Sequence, residues 1–435
     1  MGIMLISIVT LFPELYDYFL RHSLIGRAQD KGIVKFQVCN MLETCKPKER
    51  VDGPVFGHGA GMVIKPEIME RLINNQEMHH GESLKIFFSP RGRLLDQDYV
   101  RILAERIVKS SHTMFFAARY EGMDTRIEDE YADEIVSMGN FVLMGGDLPL
   151  QMTLESVLRY IPGVVGKSES VVNDSFTGAL VDAPAYTAPV VWKGREVPEI
   201  LRSGDHARIH AWEQDQAIRD SVKHHFSWLR SHKVSTAQKQ NILRAMPPHY
   251  VALMHDEVLL PHGTGTTSVT SLDIHDIARS SKTYGFQVFF IVTPLKDQQK
   301  IAQKLLSFWQ HEGGGDYNPD RQAALATTSV VSSCDEVIAY IEERHGKKPL
   351  VITTSAQVIS AVPLISYYDQ EVVWKEDRPV LILLGTGRGL APRAYERADY
   401  QLTPLEGYSD FNHLSVRSAA AIIFAYWLGI NLKKP

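Results

Sequence analysis

Residues 84–123 read LKIFFSPRGRLLDQDYVRILAERIVKSSHTMFFAARYEGM. The apolar run Lys85 to Phe88 stops at Ser89-Pro90-Arg91-Gly92, and helical spacing follows from Asp96 to Lys109. A second apolar run, Met114 to Ala118, stops at Arg119-Tyr120-Glu121-Gly122. Two short buried strands joined by a helix lie parallel, so this stretch predicts an α/β fold with helices on both faces of a sheet. The pattern extends outward on both sides. Met4 to Thr10 and Ile33 to Asn40 read as strands around a helical Leu15 to Lys31. Phe141 to Leu143 reads as a further strand, and Leu154 to Tyr160 begins another helix.

From about Ala185 the character changes. Arg195 to Arg202 and Asp205 to Trp228 are charged and helical in pattern, and Ser231 to Gln240 is a polar stretch leading to Pro247-Pro248, which reads as a boundary. A second α/β pattern follows, with strands at Tyr250 to Met254, Phe286 to Val292, Leu350 to Thr353 and Val380 to Leu384. Its helices are Leu272 to Tyr284, Asp297 to His311 and a closing one at Ala419 to Trp427. The expected division is residues 1–165 (first α/β domain), 166–245 (linker and small helical domain) and 247–435 (second α/β domain).

The chain has 435 residues, 44% of them apolar and 22% charged, enough for several packed cores. The formal charge of −5 excludes a tail-like polybasic mode of nucleic-acid binding and leaves room for a local basic groove. Three cysteines (Cys39, Cys45 and Cys334) without a C-x-x-C pair argue against a disulfide framework and a thiolate zinc site, and point to a reducing, cytoplasmic compartment. The opening MGIMLISIVTLF lacks a basic flank and meets Pro13 early, so it reads as a buried strand rather than a signal peptide. No run is long enough to span a membrane.

Glycines cluster at Gly57/Gly59/Gly61, Gly145-Gly146, Gly163/Gly166 and Gly385/Gly387/Gly389. The third fails the P-loop spacing, and the fourth is GxGxG rather than a dinucleotide fingerprint. Each is compatible with a plain tight turn or with backbone approaching a flat ligand beyond a strand's carboxyl end. In the first unit three such ends converge, at 89–92, 118–122 and 138–146, a setting suited to an adenine.

Eight ordered segments carry a resemblance: TLFPE (10–14), GRA (26–28), the GxGxGM loop (57–62), SPRGRLLDQ (89–97), RYEGMDTR (119–126), VLMGGDLP (142–149), RYIPGVVG (159–166) and NDSF (173–176). Over residues 1–215 the chain resembles the bacterial tRNA (guanine-N1)-methyltransferases of the trefoil-knotted SPOUT class. The resemblance implies a knotted parallel sheet and a homodimer with a shared active site. It implies methyl transfer from S-adenosylmethionine to N1 of the guanosine 3′ of the anticodon in tRNA, with magnesium assisting. The general base is then Asp174 and the cation facing O6 is Arg159. The cofactor cradle is Ser89, Pro90, Ala118, Tyr120, Glu121, Gly122, Met138, Gly139, Asn140, Phe141, Val142, Leu143, Gly145 and Gly146. No protein-ligated metal centre is expected. The chemistry agrees: guanine N1 carries a proton that a carboxylate must remove, and the charge this pushes onto O6 suits a guanidinium. Read without the motif, Asp174 is a turn or cap residue, Arg159 a surface charge, and Glu121 either a sulfonium neighbour or a salt-bridge partner.

Three positions depart from the family pattern: Ala118 stands in place of glycine, Asp147 in place of glutamate, and Glu213 where an arginine usually lies beside the tryptophan of the helical segment. The phosphate contact then falls to Arg202, Arg208 or Lys193, and weaker tRNA binding is expected. Residues 249–435 resemble a second SPOUT-class RNA methyltransferase family through HYVALMH (249–255), TSLDIHDIARSSKTY (270–284), FFIVTPL (289–295), DYNPDR (316–321), PVLILLGTGRGL (379–390) and DFNHLSVRSAAAI (410–422). This implies a second S-adenosylmethionine pocket lined by Leu384, Gly385, Gly387, Gly389, Leu405 and Leu414. Asn412, His413, Ser415 and Arg417 read as catalytic or as a helix start, and Asp273 and His275 as metal ligands or as a cap and a surface residue. The alternative for this half is a non-catalytic cofactor- or RNA-binding or dimerisation module.

Overall fold

The computed structural model describes residues 3–57, 61–166, 174–311, 314–359 and 361–430. Its contacts divide the chain into two compact units, Met1–Thr177 and Gly178–Pro435.

The first unit is built on five parallel strands: β1 (Met4–Thr10), β2 (Val34–Asn40), β3 (Leu84–Leu94), β4 (His112–Phe116) and β5 (Glu134–Ser137), in the order β2-β1-β4-β3-β5. The strands are apolar on both sides because both faces are covered. One face packs Ile6, Ile8, Ile86 and Phe115 under α3 (Gln97–Lys109) and α5 (Asp147–Leu158). The other packs Val9, Phe87, Met114 and Phe116 under α2 (Pro66–His80) and α4 (Thr125–Tyr131). Strand β3 pairs with β5 as Ile86–Phe88, leaves register through 89–92, and rejoins the same strand at Arg93 and Leu94. The expected single helix Leu15 to Lys31 is broken at His22, and only its second part, α1 (Ser23–Asp30), runs eight residues. The strand expected at Phe141 to Leu143 is an exposed loop, and the strand of this region is β5. An apolar run predicts burial, yet here it projects from the sheet's carboxyl edge.

The second unit opens with the exposed hairpin Val191–Trp192/Arg195–Glu196 and the helices α6 (His206–His224), α7 (Phe226–Ser231) and α8 (Thr236–Ala245). The helical reading of Arg195 to Arg202 thus gives way to a hairpin strand and one 3₁₀ turn at Glu199–Arg202. The polar stretch Ser231 to Gln240 begins α8, whose start is fixed by a capping box between Ser235 and Gln238. Seven parallel strands follow: β6 (His249–Met254), β7 (Val288–Val292), β8 (Thr328–Val331), β9 (Leu350–Thr353), β10 (Leu364–Ile365), β11 (Val380–Gly385) and β12 (Tyr400–Leu402). Their order is β8-β7-β6-β11-β9-β12-β10. Helices α9 (Ser271–Thr283), α10 (Lys296–His311), α11 (Cys334–His345) and α12 (Val416–Leu428) cover the sheet. A separate helical unit is expected from the sequence; in the structure Ile218, Val222, Phe226, Leu229 and Ile242 share one core with Val251, Trp374 and Phe424. Among the described residues no helix is long and apolar enough to cross a membrane.

Candidate active site

In the first unit, β4, β3 and β5 are neighbours, so the loops leaving their carboxyl ends stand side by side. These loops carry the residues expected to hold a cofactor. Their geometry is set by one carboxylate. Asp147, in the first turn of α5, is 2% exposed. It accepts hydrogen bonds from the Thr10 hydroxyl (2.6 Å) and the Tyr16 hydroxyl (2.9 Å), and it pairs with Arg119 through Nε (2.8 Å) and Nη2 (2.7 Å). An anion suits this place, where the backbone N–H groups of a starting helix point outward. Burial, and secondarily Asp147, pushes the Tyr16 phenol far above its usual range, so Tyr16 stays a donor. The Arg119 guanidinium also lies 4.7 Å over the Phe12 ring. Asp147 therefore ties the end of β1, the loop after β4 and the loop after β5 to one point.

The same two loops touch through backbone. Gly146 N–H donates to Ala118 O (2.7 Å), and a Cβ on Gly146 would lie 2.7 Å from Ala118 N, so no other residue fits. Ala118 itself is half-buried against the core. Tyr120 is exposed with φ 59°, and Glu121 N–H donates to Met62 O, which braces this tip against the hairpin Asp52–Pro54/Met62–Ile64. The Glu121 side chain runs past Gly61 and forms no ion pair with another described residue. Ser89 and Pro90 lie in the excursion of β3, and Met138 and Gly139 lead into the loop after β5. There Phe141, Val142 and Met144 are 57%, 93% and 92% exposed, and Asn140 and Leu143 are exposed too. Exposed apolar side chains at the strand ends fit a flat, partly apolar group such as an adenosyl moiety.

The two residues expected to act on the substrate meet. Arg159, at the end of α5, donates from Nη2 to Oδ2 of Asp174. Both side chains are partly exposed. Asn173 of the NDSF segment lies outside the described residues, as do three members of the first glycine loop, His58, Gly59 and Ala60. The structure does not place this pair against the cradle of its own chain. Helix α5 starts at the cradle and ends at Arg159, so its twelve residues put about 18 Å of helix between them.

In the second unit, Leu384 is buried and Gly385 ends β11, beside β6 at the centre of the sheet. A Cβ on Gly385 would sit 2.8 Å from Leu390 N, so the loop Gly385–Gly389 folds back on itself. Thr386 donates to Met254 O (2.8 Å), the Thr267 and Thr386 hydroxyls lie 2.5 Å apart, and His255 Nδ1 is 3.0 Å from Thr267. With the Thr386 proton spent on Met254, the chain runs His255 Nδ1–H to Thr267 to Thr386. This leaves Nε2 of the buried His255 as an acceptor without a partner among the described residues. Burial pushes the His255 pKa down to about 4. Leu405 packs on the core, while Leu414 is 47% exposed. Ser415 caps α12, Asp273 is capped by Thr270 and paired with Arg417 (3.3 Å), and Asn412 donates to Ala356 O. Among the described residues no cluster of metal-ligating side chains occurs. Arg208 is exposed in the first turn of α6, Arg202 pairs with Glu196, and Lys193 lies 4.9 Å over Trp192.

Sequence reasoning missed Thr10 and Tyr16 as partners of Asp147, and missed the His255–Thr267–Thr386 chain. Thr10 stands in the TLFPE segment and His255 ends HYVALMH, so a strand-end polar residue was the available signal.

Comparison with known proteins bears on both units. Residues 4–230 match the family model described as tRNA (Guanine-1)-methyltransferase TrmD, and residues 248–429 match one described as SAM-dependent RNA methyltransferase. A protein of Nitratidesulfovibrio vulgaris named tRNA (guanine-N(1)-)-methyltransferase is 38% identical over 431 residues, covering 97% of this chain and 99% of the relative. One of Oleidesulfovibrio alaskensis with the same name is 37% identical over 430 residues, covering 97% and 99%. A Bacillus subtilis protein, again so named, is 37% identical over 239 residues, which is 54% of this chain and 97% of that protein.

Proposed function

We propose, for a chain that belongs to the tRNA (Guanine-1)-methyltransferase TrmD family, that it methylates N1 of the guanosine 3′ of the anticodon in tRNA. The observation that carries this reading is the Arg159–Asp174 pair. A guanine's Watson–Crick edge places a donor, N1–H, beside an acceptor, O6. A carboxylate beside a guanidinium is its complement. Asp174 takes the N1 proton, and Arg159 holds the charge that moves onto O6. S-adenosylmethionine supplies an electrophilic methyl carbon on a sulfonium. The tips at 89–92, 118–122 and 138–146 would hold it, with the Glu121 carboxylate facing its positive end and Asp147 keeping the loops in register.

The length of α5 between cradle and pair supports a homodimer, in which each cradle works with Asp174 of the partner subunit. A knot through these loops, magnesium on the substrate side and a cytoplasmic setting belong to the same reading. The second α/β domain is read as a further methyltransferase whose donor pocket is formed by Leu384, Gly385, Gly387, Gly389, Leu405 and Leu414. A non-catalytic binding or dimerisation role is the alternative.

The test is Asp174→Asn on unmodified tRNA transcript with the methylated nucleoside mapped by mass. The rate at that guanosine drops about 10²–10⁴-fold while tRNA affinity stays within a few-fold. An unchanged rate refutes the assignment. Mixing Asp174→Asn chains with Glu121→Gln chains should restore about a quarter of native activity if the site is shared between subunits.

A further inference from the structure

Kinship and packing assign residues 178–230 differently. By sequence they continue the tRNA methyltransferase family, whose match ends at residue 230, before the second family's match begins at 248. By packing they belong to the second α/β domain. Phe226 meets Trp374 edge-on at 4.7 Å within the shared core. Arg230, 3% exposed, donates from Nε to Gly429 O (2.9 Å) and from Nη2 to Ala425 O (3.0 Å), the carbonyls at the end of α12. A desolvated guanidinium at a helix C-terminus meets the negative end of the helix dipole, so this clasp is strong and directional. At its other end α12 begins beside Asn412 and Leu414 and carries Arg417, paired with Asp273. The clasp and the second candidate site are thus joined by one helix of 13 residues, about 20 Å long.

We infer that the second α/β domain methylates the same tRNA that the helical segment holds for the first, at a different nucleotide. This rests on the reading of the segment as tRNA-binding. The segment presents exposed Arg208, Trp192 and Lys193, a cation–aromatic surface suited to phosphate and base stacking. Helix α6, 19 residues or about 28 Å long, runs from that surface to the clasp, and α12 adds about 20 Å to the second candidate site, a path inside the span of a folded tRNA. In the step, a lone pair on a nucleotide nitrogen or oxygen forms the new bond to the methyl carbon. The S–CH3 bond breaks with its electrons kept by sulfur, which leaves as the thioether of S-adenosylhomocysteine, and the displaced proton passes to solvent.

The experiment uses the full chain carrying Asp174→Asn, unmodified tRNA transcript and methyl-labelled S-adenosylmethionine. Label is expected in tRNA at a nucleotide other than the guanosine 3′ of the anticodon. Adding Arg208→Glu to the native chain is expected to raise the half-saturating tRNA concentration of both methylations by one common factor, about five- to tenfold for a reversed phosphate contact. No label in any RNA, label confined to ribosomal RNA, or an Arg208→Glu effect on the first reaction alone overturns the inference. The two readings fail separately: if the native chain leaves the anticodon-adjacent guanosine unmethylated, the first falls, whereas label from the Asp174→Asn chain scores the second. Both positions are at least partly exposed, and thermal melting of each variant confirms an intact fold.

Discussion

Asp147 shows how one side chain can hold a binding edge together. Its partners are Thr10 and Tyr16, from the end of β1 and the turn after it, and Arg119, from the loop after β4. Asp147→Ala leaves Arg119 without its carboxylate and two hydroxyls without an acceptor, so the first unit should lose about 3–5 kcal/mol in denaturant unfolding. Asp147→Glu keeps the charge but adds a methylene to a filled site, and should cost about 1–3 kcal/mol unless Thr10 and Tyr16 give way. The sequence marked Asp147 only as a departure from a motif, because a motif records spacing along the chain and this hub is made of contacts across it. Asp174 and Arg159 were legible because both lie inside motifs. Their meeting was expected only through the resemblance, which sets both on one guanine edge; the direct ion pair between them, fifteen positions apart, is what the fold adds.

Element boundaries followed hydrophobic period well where both faces of a strand are buried, as in Met4–Thr10 and Val380–Gly385. They failed where an apolar run serves an edge rather than a core, as at Phe141–Leu143, and where polar residues cap a helix, as at Ser235 and Gln238. Helix α7 carries the clearest prediction at this scale. Arg230→Ala removes the Arg230 donor from Gly429 O and leaves Ala425 O with the Gly429 N–H alone, and losing the charge-assisted bond to the buried Gly429 carbonyl costs about 1–3 kcal/mol. The second unit's unfolding midpoint should fall accordingly in urea, with the first unit's transition unchanged. A shift of the first transition instead would mean that Arg230 does not act within its own unit.

At the scale of the whole molecule, buried histidines set the response to acid, and the second unit holds two whose pKa burial lowers strongly. His249 and His255, both in the second unit, are held near a pKa of about 4 by burial; His249 Nε2 accepts from Trp427 and its Nδ1 donates to Pro247 O. Unfolded histidines titrate near 6.5, so between pH 6.5 and 4 the unfolded second unit binds up to two more protons. Its stability should therefore fall by about 2–3 kcal/mol per pH unit across that window and level off below it. Urea midpoints that stay flat from pH 7 to 4.5 would contradict this. The −5 net charge makes tRNA binding depend on a local surface, and Glu213 removes one expected cation from it. Affinity should be weaker and the salt slope shallower than in an arginine-bearing relative, as a binding titration against salt would measure. By itself the amino-acid order determined the parallel α/β class, the two sheets and the family, because strand periodicity and motif spacing are local properties. Only the tertiary structure decided that Asp147 joins three loops, that the Arg159–Asp174 pair stands a helix length from those loops, and that the helical segment shares the second sheet's core. Those outcomes depend on which distant apolar faces and charges find each other when the chain closes, and no window along the sequence contains both partners.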